Sequence, residues 1–174
     1  MRRVFAPLIA RSLAVFLLAA AAARPGHAQD ASYDEGPYQP LSFLLVASTT
    51  RYDDALRVAR SAAAALDLPL DLRGLTPVAG AKEPSLTLPA ALCEADGVEA
   101  PCYVPRGRGL EDGGLAVSIE LSSAYGRMRP GLYIVTAGVL LPGDPRHAAL
   151  LRRAKASFPT AYLKVGEVYM GCMH

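Results

Sequence analysis

The side chains best suited to chemistry gather in the second half of the chain. Glu120 stands in the run Leu115-Ala116-Val117-Ser118-Ile119-Glu120-Leu121. Period-two alternation puts Ser118, Glu120 and Ser122 on one face of a strand and Val117, Ile119 and Leu121 on the other. Paired with Glu111 or Asp112, Glu120 could serve as the acid or base of a hydrolase, whereas a lone carboxylate on a polar face is simply solvated. Arg106, Arg108, Arg127 and Arg129 flank the same strand, accompanied by Tyr103 and Tyr125. Arginine with tyrosine suits recognition of anionic or sugar-bearing ligands, and the same residues also fit a solvated rim of loops around Gly107, Gly109 and Gly126. Met170, Cys172, Met173 and His174 offer soft donors of the kind copper(I) prefers, but four ligands within five terminal residues converge poorly. No metal and no cofactor is expected. Serine, cysteine and histidine assemble no triad, and His147 falls in the first turn of a helix, where it should be exposed.

Export bounds the remaining chemistry. Met1-Arg2-Arg3 is followed by the apolar run Leu13 to Ala23 and by Gly26-His27-Ala28, the layout of a secretory signal peptide cut after Ala28. Ser12 to Ala23 is too short for the roughly 20 residues that span a bilayer, so no stable membrane anchor is expected, and the ordinary general secretion route fits better than twin-arginine export. The whole chain carries 18 basic and 16 acidic residues. Cleavage removes Arg2, Arg3, Arg11 and Arg24 and no acidic residue, leaving 14 basic against 16 acidic, a net −2. That balance excludes a basic nucleic-acid binder. A periplasmic or secreted location permits disulfides. Among Cys93, Cys102 and Cys172 the nearest pair, Cys93 with Cys102, closes a short loop, although three pairings are open on spacing alone.

These residues need elements to carry them. Asp30 to Pro40 is polar and broken by proline and glycine, so residues 29–40 read as a mobile leader and order should begin at Leu41. Leu41 to Ala47 has strand length and composition. A helix follows over about Arg51 to Leu66, capped by Thr49 or Thr50, with Asp53 and Asp54 favoured by the dipole of its first turn. Ala55, Ala59, Ala62, Ala63 and Leu66 share one face. Leu68 to Leu75 alternates and reads as the strand that closes a β-α-β unit. A second unit comprises a strand over Leu132–Gly138, a helix starting at Asp144-Pro145, and a closing strand over Thr160–Tyr169. Thr76 to Pro130 lies between the units. A connection that long needs structure of its own, and the Glu120 strand supplies it.

The runs Leu44-Leu45-Val46-Ala47-Ser48-Thr49 and Val135-Thr136-Ala137-Gly138-Val139-Leu140, each followed by a helix, and the closing Thr160-Ala161-Tyr162-Leu163-Lys164 resemble the sporulation-related repeat (SPOR) domain. The resemblance covers about half of the exported chain and leaves the centre untouched. It implies an α+β, ferredoxin-like βαββαβ fold over residues 41–174, with a strand-containing insertion over 76–130 between its halves. It also implies a sheet face that binds the glycan strands of peptidoglycan, on which Thr136 would lie. The family often carries a polar residue where this chain has Leu45, and Phe43 and Ile134 share that face. An apolar face of this extent is uncomfortable in water, so the insertion is expected to cover it. The reading is a non-catalytic exported binding domain, with Tyr103, Arg106, Arg108, Glu120, Tyr125 and Thr136 as candidate ligand contacts. Its partner would be peptidoglycan or another envelope protein, and a small hydrolase using Glu120 is the alternative.

Overall fold

The computed structural model describes residues 37–108 and 114–171. The expectations for the signal peptide, for residues 29–36, for Glu111 and Asp112, and for Cys172, Met173 and His174 lie outside the described residues. The chain runs β1 (Tyr38–Thr49), α1 (Tyr52–Leu66), β2 (Thr76–Pro77), β3 (Leu86–Thr87), α2 (Ala90–Ala95), β4 (Ser118–Leu121), β5 (Tyr133–Leu140), α3 (Pro145–Ser157) and β6 (Tyr162–Tyr169). The architecture is α+β. Four strands form an antiparallel sheet in the order β4-β5-β1-β6, while β2 and β3 make a separate two-residue ladder.

The near-continuous apolar run of β1 follows from burial on both faces. Leu44 and Val46 point toward the helices, meeting Ala55, Ala59 and Ala62 of α1 and Leu150 and Ala154 of α3. Alanine at those positions lets α1 lie close to the sheet, and Ala63 sits at the margin of that contact. The Asp144 side chain caps α3 by accepting from the Arg146 N–H at 2.9 Å, with Pro145 opening the helix. The capping expectation for α1 needs correction. Its N-cap is Arg51, which has no side-chain cap bond, and Thr49 Oγ1 instead accepts from Arg51 N–H at 3.2 Å.

Three further expectations change. The alternating segment 68–75 is not a sheet strand. It touches the sheet at one parallel bridge, Leu70 with Val117, where Asp71 N–H donates to Val117 and Val117 N–H to Pro69. Proline at 69 removes a donor. Beyond the bridge, Asp71 Oδ1 accepts from Arg73 N–H at 3.0 Å, and Arg73 and Gly74 both turn left-handed, with φ of 53° and 71°. The strand that follows α1 in the four-stranded sheet is therefore β4, and the segment between them begins after α1 rather than at Thr76. β1 also starts earlier than Leu41, because Tyr38 to Pro40 pair with Glu167 to Tyr169 and the Tyr38 and Tyr169 rings meet at 5.2 Å.

The sheet face away from the helices is covered. Phe43, Leu45 and Ile134 are buried, together with Leu41, Val139 and Val168. Two pieces of chain do this. At one end, Gly107 lies so close that a Cβ there would fall 2.5 Å from Leu41 Cδ1. Across the middle, the β4–β5 connection is no hairpin. It leaves β4 by a 3-10 turn at Ser122–Ala124, lays Tyr125 edge-on against Phe43 at 4.6 Å, and reaches the far edge of the sheet. There Gly126 exchanges main-chain hydrogen bonds of 2.8 and 3.1 Å with Glu167 of β6. Each fully buried apolar side chain under this strap contributes roughly 1.5–3 kcal/mol.

Candidate functional site

Glu120 sits in the middle of β4, on the strapped face, with no exposed surface. Its Oε2 accepts from Arg73 Nη2 at 2.5 Å, Tyr103 OH at 2.7 Å, Tyr125 OH at 3.1 Å and the Arg106 N–H at 3.4 Å. Its Oε1 lies 3.5 Å from Arg106 Nε. The network extends outward: Arg106 also binds Asp71, Arg73 donates to the Val104 carbonyl at 2.7 Å, and Tyr103 accepts from Leu121 N–H at 3.2 Å. The members come from three stretches of the chain, residues 71–73, residues 103–106 and Tyr125, so one carboxyl ties all three to the sheet.

The electrostatics agree with an enclosed network. Burial pushes both the Tyr103 and Tyr125 hydroxyls well above the ordinary tyrosine range, and the Glu120 charge adds to the push. Burial opposes charge on Arg73, but Glu120, Tyr103 and Tyr125 outweigh it and raise the guanidinium. Desolvation opposes the Asp71 charge too, yet the Arg106 bond holds that carboxyl below its usual value.

The arginine and tyrosine residues read as ligand contacts thus have a ligand, and it is internal. Tyr103, Arg106, Glu120 and Tyr125 converge on one another rather than on a cleft. A general acid or base must reach the group it protonates, and Glu120 reaches only protein. Arg108 stands apart, donating to the Gly171 carbonyl. Thr136 is buried as well, its hydroxyl donating at 3.0 Å to Gly138 across an irregularity in β5. The flanking cations separate likewise: Arg127 pairs with Glu167 at 2.5 Å, whereas Arg129 makes no ion pair among the described residues.

His147 corrects another expectation. It is 2% exposed, with Nδ1 3.0 Å from Ser42 Oγ on the central strand. A Cβ on Gly138 would fall 2.8 Å from Leu115 Cδ2, so glycine there makes room for Leu115, with the His147 ring in ordinary contact at 3.5 Å. Cys93 and Cys102 are bonded, their Cα atoms 5.8 Å apart. Among the described residues no group of three His, Cys, Asp or Glu side chains could hold a metal, and no helix is long and apolar enough to cross a membrane.

What remains open is an edge. β6 is the outermost strand, and Tyr162, Leu163, Lys164 and Val165 are exposed along it. Glu167 points its main chain outward to Gly126, so period two turns the N–H and C=O of Leu163 and Val165 outward as well. Among the described residues nothing pairs with them. Beside this edge is a pocket of about 60 Å³, floored by Leu45 and Ile134, walled by Met128 and Tyr162, and rimmed by Arg129 and Lys164. An open cleft of about 490 Å³ lies at the end of the sheet between Tyr52, Lys82, Glu83 and Tyr133. Its tyrosine hydroxyls are committed to main chain: Tyr52 to Leu75 at 3.5 Å, and Tyr133 to Ser85 at 3.1 Å. The sequence reading missed Asp71, Arg73, Ser42 and the edge. Lys164 carried no signal, and only the exposed-apolar composition of β6 could have pointed to it.

No protein family, curated protein or solved structure matches the chain.

Proposed function

We propose that this is a non-catalytic, exported binding domain that takes an extended segment of a partner protein as an added strand along β6. The observation that carries the reading is the outer side of β6 at Leu163 and Val165, unpaired among the described residues and flanked by exposed apolar side chains. An exposed, unpaired edge is a template for another chain, and strand addition draws affinity from main-chain hydrogen bonds. The Cys93–Cys102 bond supports a location outside the reducing cytoplasm. The order β4-β5-β1-β6, with α1 and α3 both packed on the helix-side core, supports the ferredoxin-like reading and, behind it, a SPOR-like origin. Peptidoglycan binding through the sheet face has less support, because the strap occupies that face. The hydrolase alternative has none, because Glu120 is enclosed.

Val165→Pro is the direct test. It removes one outward donor while leaving the bonds between β6 and β1 in place, a position where an edge strand tolerates proline. Envelope proteins crosslinked to the full chain should be lost in Val165→Pro, with the unfolding midpoint nearly unchanged. Retention of purified peptidoglycan by wild type and variant alike, with no crosslinked protein in either, would sink the reading.

A further inference from the structure

The β6 edge differs from an indifferent strand acceptor in one respect. Of the cations on the strapped side, Arg73 and Arg106 are spent on Glu120 and Asp71, Arg108 on a carbonyl and Arg127 on Glu167. Arg129 and Lys164 have no acidic partner among the described residues, and both rim the small pocket beside the open part of β6. Lys164 shares its face of the strand with Tyr162, because alternation sends Leu163 and Val165 to the other side.

Size narrows the occupant. Small-molecule sites span roughly 300–1,000 Å³, and a cavity of about 60 Å³ is far below that. It has room for roughly two water-sized volumes, enough for the stem of one short side chain. A sugar ring or free metabolite does not fit, but a side chain delivered by a strand lying alongside does. Cross-strand neighbours on one face stand about 4.5–5.5 Å apart, with diagonal ones within reach of long side chains. An acidic residue on an added strand therefore reaches Lys164 directly and Arg129 across it.

The geometry points to a specific partner chemistry, resting on the β6 reading: an extended polypeptide segment in which glutamate or aspartate alternates with apolar residues. Its main chain pairs with Leu163 and Val165, its acidic side chains fall on the Lys164 face and meet Lys164 and Arg129 at the pocket rim, and its apolar side chains fall on the opposite face beside Leu163 and Val165. A strand from a second copy would bring Lys164 again, placing like charges on the same rim. Charge complementarity therefore selects a different, acidic chain.

The test uses the full chain and two end-capped synthetic octapeptides, one alternating valine with glutamate and the other valine with lysine. Binding is followed by calorimetry and by backbone amide shifts. The glutamate peptide is expected to shift the β6 and Arg129 amides and to bind roughly tenfold more tightly than the lysine peptide at low salt, the gain of two exposed ion pairs. The preference should shrink as salt screens the charges. Arg129→Gln with Lys164→Gln should abolish the preference, Val165→Pro should abolish binding, and Arg152→Gln on α3 should change neither. Equal affinity for both peptides, with sensitivity to Val165→Pro, would overturn the acidic preference and leave strand addition standing. A preference for glutamate that ignores Val165→Pro would overturn strand addition itself. Self-association through β6 without peptide binding, or binding of glycan fragments at the same amides, would overturn both.

Discussion

The two edges of the sheet are treated in opposite ways. On the β4 side, Val117 is bridged by the 69–71 segment and Glu120 is gripped by two arginines and two tyrosines. On the β6 side, among the described residues, a single pairing, Gly126 with Glu167, closes one end, and Tyr162 to Val165 stay open. Both edges use arginine and tyrosine. At β4 they meet a carboxyl that the chain provides, and at β6 Arg129, Lys164 and Tyr162 surround a pocket whose counter-charge the described chain does not provide. An arginine cluster is thus a binding site or a structural clasp according to where its anion resides.

Removing the anion from the clasp should have the largest effect. Glu120→Ala leaves Arg106 buried and Arg73 half-buried without their common partner, and breaking one side of a buried ion pair costs about 3–5 kcal/mol. The urea midpoint should fall accordingly. An unshifted midpoint would mean that the β4 edge is as open as the β6 edge, erasing the contrast. Leu45→Gln comes next, because Leu45 is 3% exposed beneath the strap while also flooring the β6 pocket. Burying its amide without a partner should cost about 1–3 kcal/mol. A midpoint equal to wild type would show that the face is uncovered in solution.

A smaller effect sharpens the comparison from a third position, the helix side of β1. Burial holds the His147 pKa below its ordinary 6.5 despite opposing help from the Gly138 backbone and Asp144. As pH falls, the unfolded chain takes up this proton first. His147 therefore costs no stability above about pH 6.5, and stability declines progressively below it. His147→Gln should flatten the stability profile in that acid window, whatever its effect on absolute stability. Persistence of the full slope in the variant would assign it to other groups. The β6 peptide affinity of the folded protein should not follow that profile.

The sequence made the repetitive elements legible because their signals are local. The Asp144-Pro145 start of α3, the alanine face of α1 and the apolar run of β1 each carry their own periodicity. The covered face was legible too, from Phe43, Leu45 and Ile134 sharing one side. The clasp was not, because the partners of Glu120 lie 5 to 47 residues away and nothing local tells an arginine facing solvent from one facing a buried carboxyl. Asp71 and Arg73 were hidden by an alternation that reads as strand, although the left-handed turn at Arg73 and Gly74 ends it. His147 shows the same limit in reverse: a first-turn position suggested exposure, and tertiary packing against Ser42 decided otherwise.

The position of β1 in the sheet bears on how the chain folds. Both of its neighbours, β5 and β6, come from the last third of the sequence. The strap that seals Phe43 finds its far anchor only when Glu167 arrives. Until then the central strand has neither flank nor lid, so the earliest-made strand is among the last to be stabilised. Topologies dominated by such distant pairings fold on the millisecond-to-second scale. Emerging from a ribosome at about 5–20 residues per second, a chain built this way cannot complete its core before its final strand is made.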